Sequence, residues 1–445
     1  MQSTTLAIAV LGCVLVLTLR FPYALAAYIA ALAWYPNYLR ISIGTIDISV
    51  GRIVVSVLLL RCLLNDRIRC RFVWSRLDKW VTLSMAVCVG IWCLMHPSLQ
   101  ASLENRSGFL MDTWFAYIVV RLIMTDRATL ISFAKATGVV LAPLAILGVS
   151  ECITGEYFFL ALKRFRPWGG FGGSMPAGRW GLTRANGPFS HSIMFGGCFA
   201  MFLPLIWALR YQRDHWGKLA YLMSGAVILG VLSSMSSGPW VMLIAVILCL
   251  AMANFRHWVK PLLVGFMALC IAIGIISNRP FYHVLYSYLN PVGGEWYQRA
   301  RLVDYGIETL GQWWLGGYGG RDPGWGRAAI TGKTDVNNEF LLAGVNYGLL
   351  GIIALCGVLV QAFSGLSRAF RKTQDVELKS LYWCLGSSLV GVIAIWQGVT
   401  FFGQMPSLFY SFLGIIGSSF ALAESAGAQR EELLGRRVNY PVLSL

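Results

Sequence analysis

Three short stretches of the chain contain polar residues of kinds that can bind an anion or move a proton. Arg184 and His191 enclose an Asn-Gly-Pro turn directly before an apolar run. Arg299 and Arg301 lie in one amphipathic stretch, and Asp335 begins a polar group before another apolar run. Guanidinium groups are always protonated and bind phosphate oxygens in paired hydrogen bonds, whereas a carboxylate or an imidazole can act as a general base. These residue types indicate a phosphate-containing ligand and a nearby proton transfer.

The rest of the chain is far more apolar than these stretches. Of its 445 residues, 57% are hydrophobic and 13% are charged, well below the roughly 25% charged residues of soluble domains. Apolar runs long enough to cross about 30 Å of hydrocarbon recur from end to end. We predict an all-α polytopic membrane protein, one membrane domain over 1–445, with about 12 or 13 transmembrane helices. The runs lie near 3–19, 22–36, 50–66, 79–95, 109–124, 130–150, 192–209, 217–234, 238–254, 259–277, 338–362, 380–401 and 405–422.

The net charge of +16 is concentrated in short connections between these runs. Arginine and lysine cluster at 61–79, 210–218, 256–260 and 368–379. These four connections alternate along the chain so that all can face the cytoplasm, as the positive-inside rule requires. The tail at 423–445 is then cytoplasmic, and two long connections, 152–191 and 278–337, are periplasmic loops. The charge therefore reflects membrane topology, and we predict no nucleic-acid partner.

The two long loops are predicted to fold against the membrane domain. Both are rich in Trp, Tyr and Gly and poor in the residues typical of disorder. The first loop has several basic side chains against Glu156 alone, which favours an anionic partner. Lipid headgroups explain three of these side chains equally well: Lys163, Arg164 and Arg166.

The second loop contains an amphipathic stretch at 295–310 with apolar residues at helical spacing. We predict a helix that lies on the membrane domain and presents Arg299 or Arg301 to a cleft. The next stretch, at 313–320, is too rich in glycine to continue that helix. It lacks the spacing of a phosphate-binding P-loop and no strand precedes it, which argues against a nucleotide site.

Three segments, taken in order, resemble the superfamily of O-antigen ligases and Wzy-type polysaccharide polymerases. RANGPFSH at 184–191 is similar to the R-x-x-G-P-F-x-H pattern that opens a helix after a periplasmic loop. RARLVDYGIETLGQWWLGGYG at 299–319 resembles an Arg-led amphipathic helix that ends in a glycine turn. NNEFLLAGVNYGLLG at 337–351 looks like the HNxxL…GLxG entry into the next helix. With the two outer loops, the resemblance spans most of the chain.

This resemblance implies a GT-C-like fold in the bacterial cell inner membrane, with the active site facing the periplasm and the C-terminus in the cytoplasm. Members transfer a glycan from undecaprenyl pyrophosphate to an acceptor hydroxyl. By resemblance, Arg184 and Arg299 match the arginines that bind the pyrophosphate, and Arg301 is a second candidate. Guanidinium charge suits the phosphate that departs when the glycosyl bond breaks. No DxD motif or clustered His, Asp and Glu ligand set occurs in the sequence, so we expect no metal and no other cofactor.

One position departs from the family pattern. Where the ligases have the histidine of HNxxL, this chain has Asn337, followed by Asn338. Asparagine cannot accept a proton at neutral pH, so these amides are expected to orient a sugar hydroxyl or a phosphate oxygen. Asp335 is the favoured base, and Glu339 and His191 are the alternatives.

Glu151 ends an apolar run beside the first long loop. It could form an ion pair with Arg184 and hold that guanidinium in place between turnovers. A plain acidic residue at a loop boundary is an equally good explanation. We therefore include Glu151 among the candidate substrate-binding residues.

The missing histidine favours a polymerase of exopolysaccharide or O-antigen repeat units over a ligase that acts on lipid A core. The expected partners are an undecaprenyl-pyrophosphate-linked oligosaccharide donor, a glycan acceptor, membrane lipids and, as a candidate, a chain-length regulator. A lipid-linked oligosaccharide flippase is the rival from another class. Such transporters often contain internal repeats, and the sequence has no convincing two-fold repeat.

Overall fold

The apolar runs of the sequence are helices in the protein. A computed structural model describes residues 2–44, 46–70, 72–159, 162, 178–212, 214–288, 296–325 and 334–438. The structure is 78% helical with almost no sheet, and nine helices in the described ranges are long and apolar enough to cross a membrane. The prediction of an all-helical polytopic membrane protein is confirmed at this level.

The helices are numbered here along the chain. They are α1 (Gln2–Thr18), α2 (Phe21–Trp34), α3 (Val50–Leu63), α4 (Asp66–Arg69), α5 (Arg76–Met95), α6 (Leu99–Leu110), α7 (Ala116–Ile123), α8 (Arg127–Thr154), α9 (Ser192–Trp207), α10 (His215–Ser233), α11 (Ser237–Ala251), α12 (Val259–Ile276), α13 (Phe281–Tyr288), α14 (Trp296–Glu308), α15 (Leu310–Trp313), α16 (Glu339–Lys372), α17 (Val376–Trp396) and α18 (Met405–Val438). A π-helical turn, Met111–Phe115, joins α6 to α7. Two short antiparallel strands, β1 (Arg40–Ile43) and β2 (Ile46–Ser49), form a hairpin before α3.

The central helix of the bundle is α9. Nearly all of its residues are buried, and it packs against α10, α11 and α17. A β-carbon placed on Gly196 would lie 2.6 Å from the Oγ of Ser234, so only glycine permits this approach. Membrane helices lack a hydrophobic driving force between them and depend on such close backbone packing.

The basic connections gather at one end of the bundle. Arg127, at the start of α8, pairs with Asp375 and Glu377 at the start of α17. Arg210, just after α9, donates from Nη2 to the Oγ of Ser380 at 3.4 Å. The start of α9 and the end of α17 therefore lie at the opposite end, which is where the predicted site residues are.

The structure differs from the prediction at the end of the apolar run 380–401. The apolar run at 380–401 was expected to be helical throughout, but α17 ends at Trp396 and α18 begins at Met405. The intervening residues, 397–404, form a loop that we call the bridging loop. Gly398 lowers the helical propensity there, and the N–H of Phe401 donates to the carboxylate of Glu339 at 2.9 Å instead of to a helical carbonyl.

The glycine-rich stretch at 313–320 packs into a kink of α16. Gly348 has φ +69° and ψ −167° inside that helix, a conformation that side chains with a β-carbon strongly disfavour. The N–H of Leu349 donates to the carbonyl of Trp314 at 2.8 Å, and the N–H of Tyr318 donates to the carbonyl of Val345 at 2.7 Å. The glycines thus allow two backbones to meet, which accounts for them without a phosphate ligand.

Candidate functional site

Arg184 lies in a partly buried pocket at the end of the bundle opposite the basic connections. Its Nη2 donates to the Oγ of Ser236 at 2.6 Å, while its Nε is buried and has no hydrogen-bond acceptor in the described structure. Burial, followed by repulsion from Arg179, lowers the pKa of Arg184 to about 10. In the described part of the chain, no carboxylate forms an ion pair with Arg184. The pocket thus holds a guanidinium whose charge the described side chains do not neutralise.

A turn of serines, 233–237, forms one wall of this pocket. Ser236 donates its hydroxyl hydrogen to the carbonyl of Ser234 at 2.8 Å, so its oxygen is oriented to accept from Arg184. The Oγ of Ser192, at the start of α9, lies 3.2 Å from the Oγ of Ser236. The N-termini of α9 and α11 therefore meet beside Arg184. Helix N-termini favour anions, so they add to the positive potential.

Met235 occupies the tightest point of the serine turn. Its φ of +45° is in the left-handed region, which is uncommon for a residue other than glycine. Its carbonyl accepts a hydrogen bond from Nη1 of Arg179 at 3.3 Å. Arg179 is thereby held close enough to lower the pKa of Arg184. We call Arg179, Arg184, Ser192 and Ser236 together the arginine pocket.

Glu151 supports the turn that carries Arg184. Its Oε2 accepts hydrogen bonds from the N–H of Asn186 at 3.2 Å and of Gly187 at 2.8 Å. The hydrogen bonds described for Glu151 therefore reach this segment through its backbone and not through the guanidinium. Glu151 thus anchors the backbone of the turn that carries Arg184. Gly187 has φ +47°, and its missing side chain leaves room for the ring of Phe195.

Arg179 and Leu182 flank a narrow hairpin at the rim of the pocket. Each donates its N–H to the carbonyl of the other, at 2.8 and 3.0 Å. Trp180 and Gly181 form the turn between them, with φ +53° and +78°. The ring of Trp180 lies 5.9 Å from the ring of Trp240.

Arg299 belongs to a second group of polar residues, around the start of α16. A β-carbon placed on Gly398 would lie 2.8 Å from Nη1 of Arg299, so the guanidinium lies against the bridging loop. Asp335 is close enough for this charge to affect it. Desolvation raises the pKa of Asp335, and Arg299 partly offsets that rise. With its amide oriented to suit its surroundings, Asn337 donates to both carboxylate oxygens of Asp335 at 3.0 Å.

Asn338 connects this second group to the bridging loop. Its Oδ1 caps α16 by accepting the N–H of Leu341 at 3.0 Å. Its Nδ2 donates to the carbonyl of Gln397 and to the phenol of Tyr286, both at 3.2 Å. Tyr286 also donates to the carbonyl of Gln397 at 2.7 Å. These bonds hold α13, α16 and the bridging loop together at Asn338.

The bridging loop contacts the second group and the residues directly before Ser192 of the arginine pocket. On one side it meets Arg299, Asn338 and Glu339, as described above. On the other side, the ring of Phe402 lies 6.2 Å from that of His191. A β-carbon on Gly403 would lie 3.3 Å from the Oγ of Ser190. The two arginine-bearing segments, far apart in sequence, are therefore assembled around one loop.

The remaining candidates lie in different surroundings. His191 caps α9, with its Nδ1 accepting the N–H of Ile193 at 3.1 Å. Arg301 points along its own helix: Nη2 donates to the phenol of Tyr305 at 3.3 Å, and Nη1 lies 3.7 Å from the carboxylate of Asp304. The described contacts thus link Arg299, and not Arg301, to the bridging loop.

Sequence reasoning missed several contributors to this site. The serine turn and the bridging loop lie in or beside apolar runs, where Ser236 and Gln397 looked like ordinary membrane-helix residues. Paired polar and glycine residues inside such runs were the available signal, since polar groups in a membrane segment are costly unless they have a use. Three basic candidates of the first long loop, Lys163, Arg164 and Arg166, lie outside the described residues, as does Glu295 at the expected start of α14.

No family model matches the chain, and no curated protein matches it. The resemblance to ligases and polymerases therefore rests on the three sequence motifs.

Proposed function

We propose that the protein is a polysaccharide polymerase of the bacterial inner membrane, with its site on the periplasmic side. It transfers a glycan from undecaprenyl pyrophosphate to the hydroxyl of another lipid-linked repeat unit. One observation carries the proposal: Arg184 and Arg299, from two separate long loops, lie in segments that contact the same bridging loop at one end of the bundle. Four basic connections at the other end are typical of a cytoplasmic face.

The arginines would stabilise the leaving group. When the bond between the anomeric carbon and the phosphate oxygen breaks, its electron pair and negative charge pass to undecaprenyl pyrophosphate. The charge of Arg184 lacks a described carboxylate partner, so a diphosphate would neutralise it without displacing an existing ion pair. Removing one donor of this kind typically lowers the rate by about 10²–10³.

Asp335 would accept the proton of the acceptor hydroxyl as the new carbon–oxygen bond forms. An effective base has a pKa close to the working pH, and desolvation moves the pKa of Asp335 upward in that direction. Asn337 would hold the carboxylate through its amide hydrogen bonds. This division of roles accommodates the asparagine at the position where the ligases have a histidine.

The test measures how protein in vesicles lengthens undecaprenyl-pyrophosphate-linked repeat units, with no gradient applied. Arg184→Ala and Arg299→Ala should each abolish this chain extension. Arg301→Ala, two residues from Arg299 and bonded within its own helix, is the matched control and should retain activity. Full-length polymer from Arg184→Ala or Arg299→Ala at normal protein level would refute the assignment.

The same vesicles separate the rival functions. A ligase would transfer polymer to lipid A core without lengthening the lipid-linked chain. A flippase would move the lipid-linked unit across the bilayer and leave its length unchanged. Either result would replace the polymerase proposal.

A further inference from the structure

Trp180 is held in a backbone conformation that its side chain disfavours. Trp180 and Gly181 both have positive φ, in a two-residue hairpin turn closed by Arg179 and Leu182. Turns of this geometry strongly prefer Asn-Gly or Asp-Gly, and a bulky residue at positive φ is an outlier. Strained residues persist where the surrounding structure holds them, and they concentrate at ligand sites.

The Trp180 side chain is also largely exposed. Its ring touches that of Trp240, with the planes inclined at 48°, yet 68% of the residue remains exposed. Arg179 anchors the base of the same turn to the carbonyl of Met235. A large aromatic surface is thus fixed and open beside the guanidinium groups of the arginine pocket.

A ligand that matches both features has an anionic group joined to a ring with apolar faces. The face of an indole is electronegative and attracts polarised C–H groups, which a pyranose presents on its flat sides. A glycosyl diphosphate combines these features: its phosphates suit Arg184, and its sugar lies within reach of the rim. A bare lipid diphosphate has no sugar ring that the indole could stack on.

We propose that Trp180 is a stacking platform for the sugar linked to the diphosphate, at the rim of the arginine pocket. This rests on the proposed function and extends it, because it assigns the side of the pocket on which the donor glycan lies. Stacking uses a ring face and not specific hydroxyls. The platform therefore tolerates different sugars and serves for affinity more than for sugar identity.

Binding to the full-length protein in lipid nanodiscs tests this with two probes, undecaprenyl diphosphate and undecaprenyl diphosphate carrying one N-acetylglucosamine. Wild type should bind the glycosylated probe about 10-fold more tightly. Trp180→Ala should remove that difference and leave affinity for the bare diphosphate unchanged, whereas Trp180→Tyr should keep most of it. Trp258→Ala, which removes another exposed indole (53%) near the basic end, is the control and should behave as wild type.

Each other outcome decides between explanations. If wild type binds both probes equally, the platform is refuted while the arginine pocket stands. If wild type binds neither probe, the proposed function fails. If Trp180→Ala weakens binding of both probes alike, or lowers the amount of protein inserted in the membrane, Trp180 is an interfacial anchor and not a sugar platform.

Discussion

Replacing Arg184 should separate a functional arginine from a structural one. Burial lowers the pKa of Arg184 to about 10. At about 1.36 kcal/mol per pKa unit, holding the charged form costs at most about 3 kcal/mol, and solvent screening reduces this cost because the side chain is only partly buried. The cost is fully present at pH 7 and disappears only as the pH rises above about 10. Losing the hydrogen bond to Ser236 costs about 1.5–3 kcal/mol. Arg184→Gln should therefore leave stability unchanged or slightly higher.

Arg121 provides the matched comparison. Arg121 is also buried, but its Nε lies 2.8 Å from a carboxylate oxygen of Asp78, with which it forms an ion pair. Asp78 is completely buried. Tyr117 and the N–H of Ser75 also donate to that carboxylate. Arg121→Gln leaves a buried charge without its partner, which costs about 3–5 kcal/mol. Both substitutions replace arginine by glutamine, but only Arg121→Gln should lower the free energy of unfolding.

Thermal unfolding of the purified variants, followed by tryptophan fluorescence, measures this contrast. Undecaprenyl diphosphate at about 100 times its Kd should stabilise wild type by about 2.7 kcal/mol, and Arg184→Gln should lose most of that gain. Arg121→Gln should unfold at a lower temperature and keep its response to the ligand. If Arg184→Gln destabilises the protein as much as Arg121→Gln does, the argument that Arg184 is an uncompensated cation is refuted.

Three further predictions concern the second polar group and the kink of α16. As the pH is lowered, the rate of glycan extension should begin to fall at a higher pH than an ordinary aspartate would give, because the pKa of Asp335 is raised. Asp335→Asn should abolish activity at every pH. A pH profile that this substitution leaves unchanged would exclude Asp335 as the base. Asn337→Asp should reduce extension far more than Asn337→Gln, since a second carboxylate would lie beside the first; equal rates would contradict the described contact. Gly348→Ala should cost about 2 kcal/mol or more in thermal unfolding, because φ is +69° and the new β-carbon would lie 2.7 Å from the carbonyl of Trp314; wild-type stability would show that α16 straightens.

Much of the fold could be predicted because membrane helices are determined by local composition. Each long apolar run became a helix, and the helical stretch at 295–310 is present as α14 and α15 with shifted ends. The error at 397–401 has a physical cause. Val399, Phe401 and the preceding apolar residues extend the run in hydropathy, whereas the N–H of Phe401 has an acceptor in Glu339, from a distant part of the chain.

The candidate site was predictable in its residue types but not in its arrangement. Arg184 and Arg299 stand out because cations beside membrane helices are few and costly. Nothing local distinguished Arg299 from Arg301, which lies on the same helix; the contact with Gly398 distinguishes them. Likewise, the sequence does not indicate that Glu151 accepts hydrogen bonds from the N–H groups of Asn186 and Gly187; the structure does.

The sequence by itself determined that this is a helical membrane protein with short basic connections and two long connections that contain arginine. Those properties depend on local features of the chain. The composition of a run determines whether its transfer to lipid is favourable, and the spacing of its apolar residues determines whether a helix has an apolar face. Only the tertiary structure decided that the serine turn orients Arg184, that Asn337 holds Asp335, and that one bridging loop joins both segments. These contacts join residues far apart in the chain, so their geometry depends on how the helices pack.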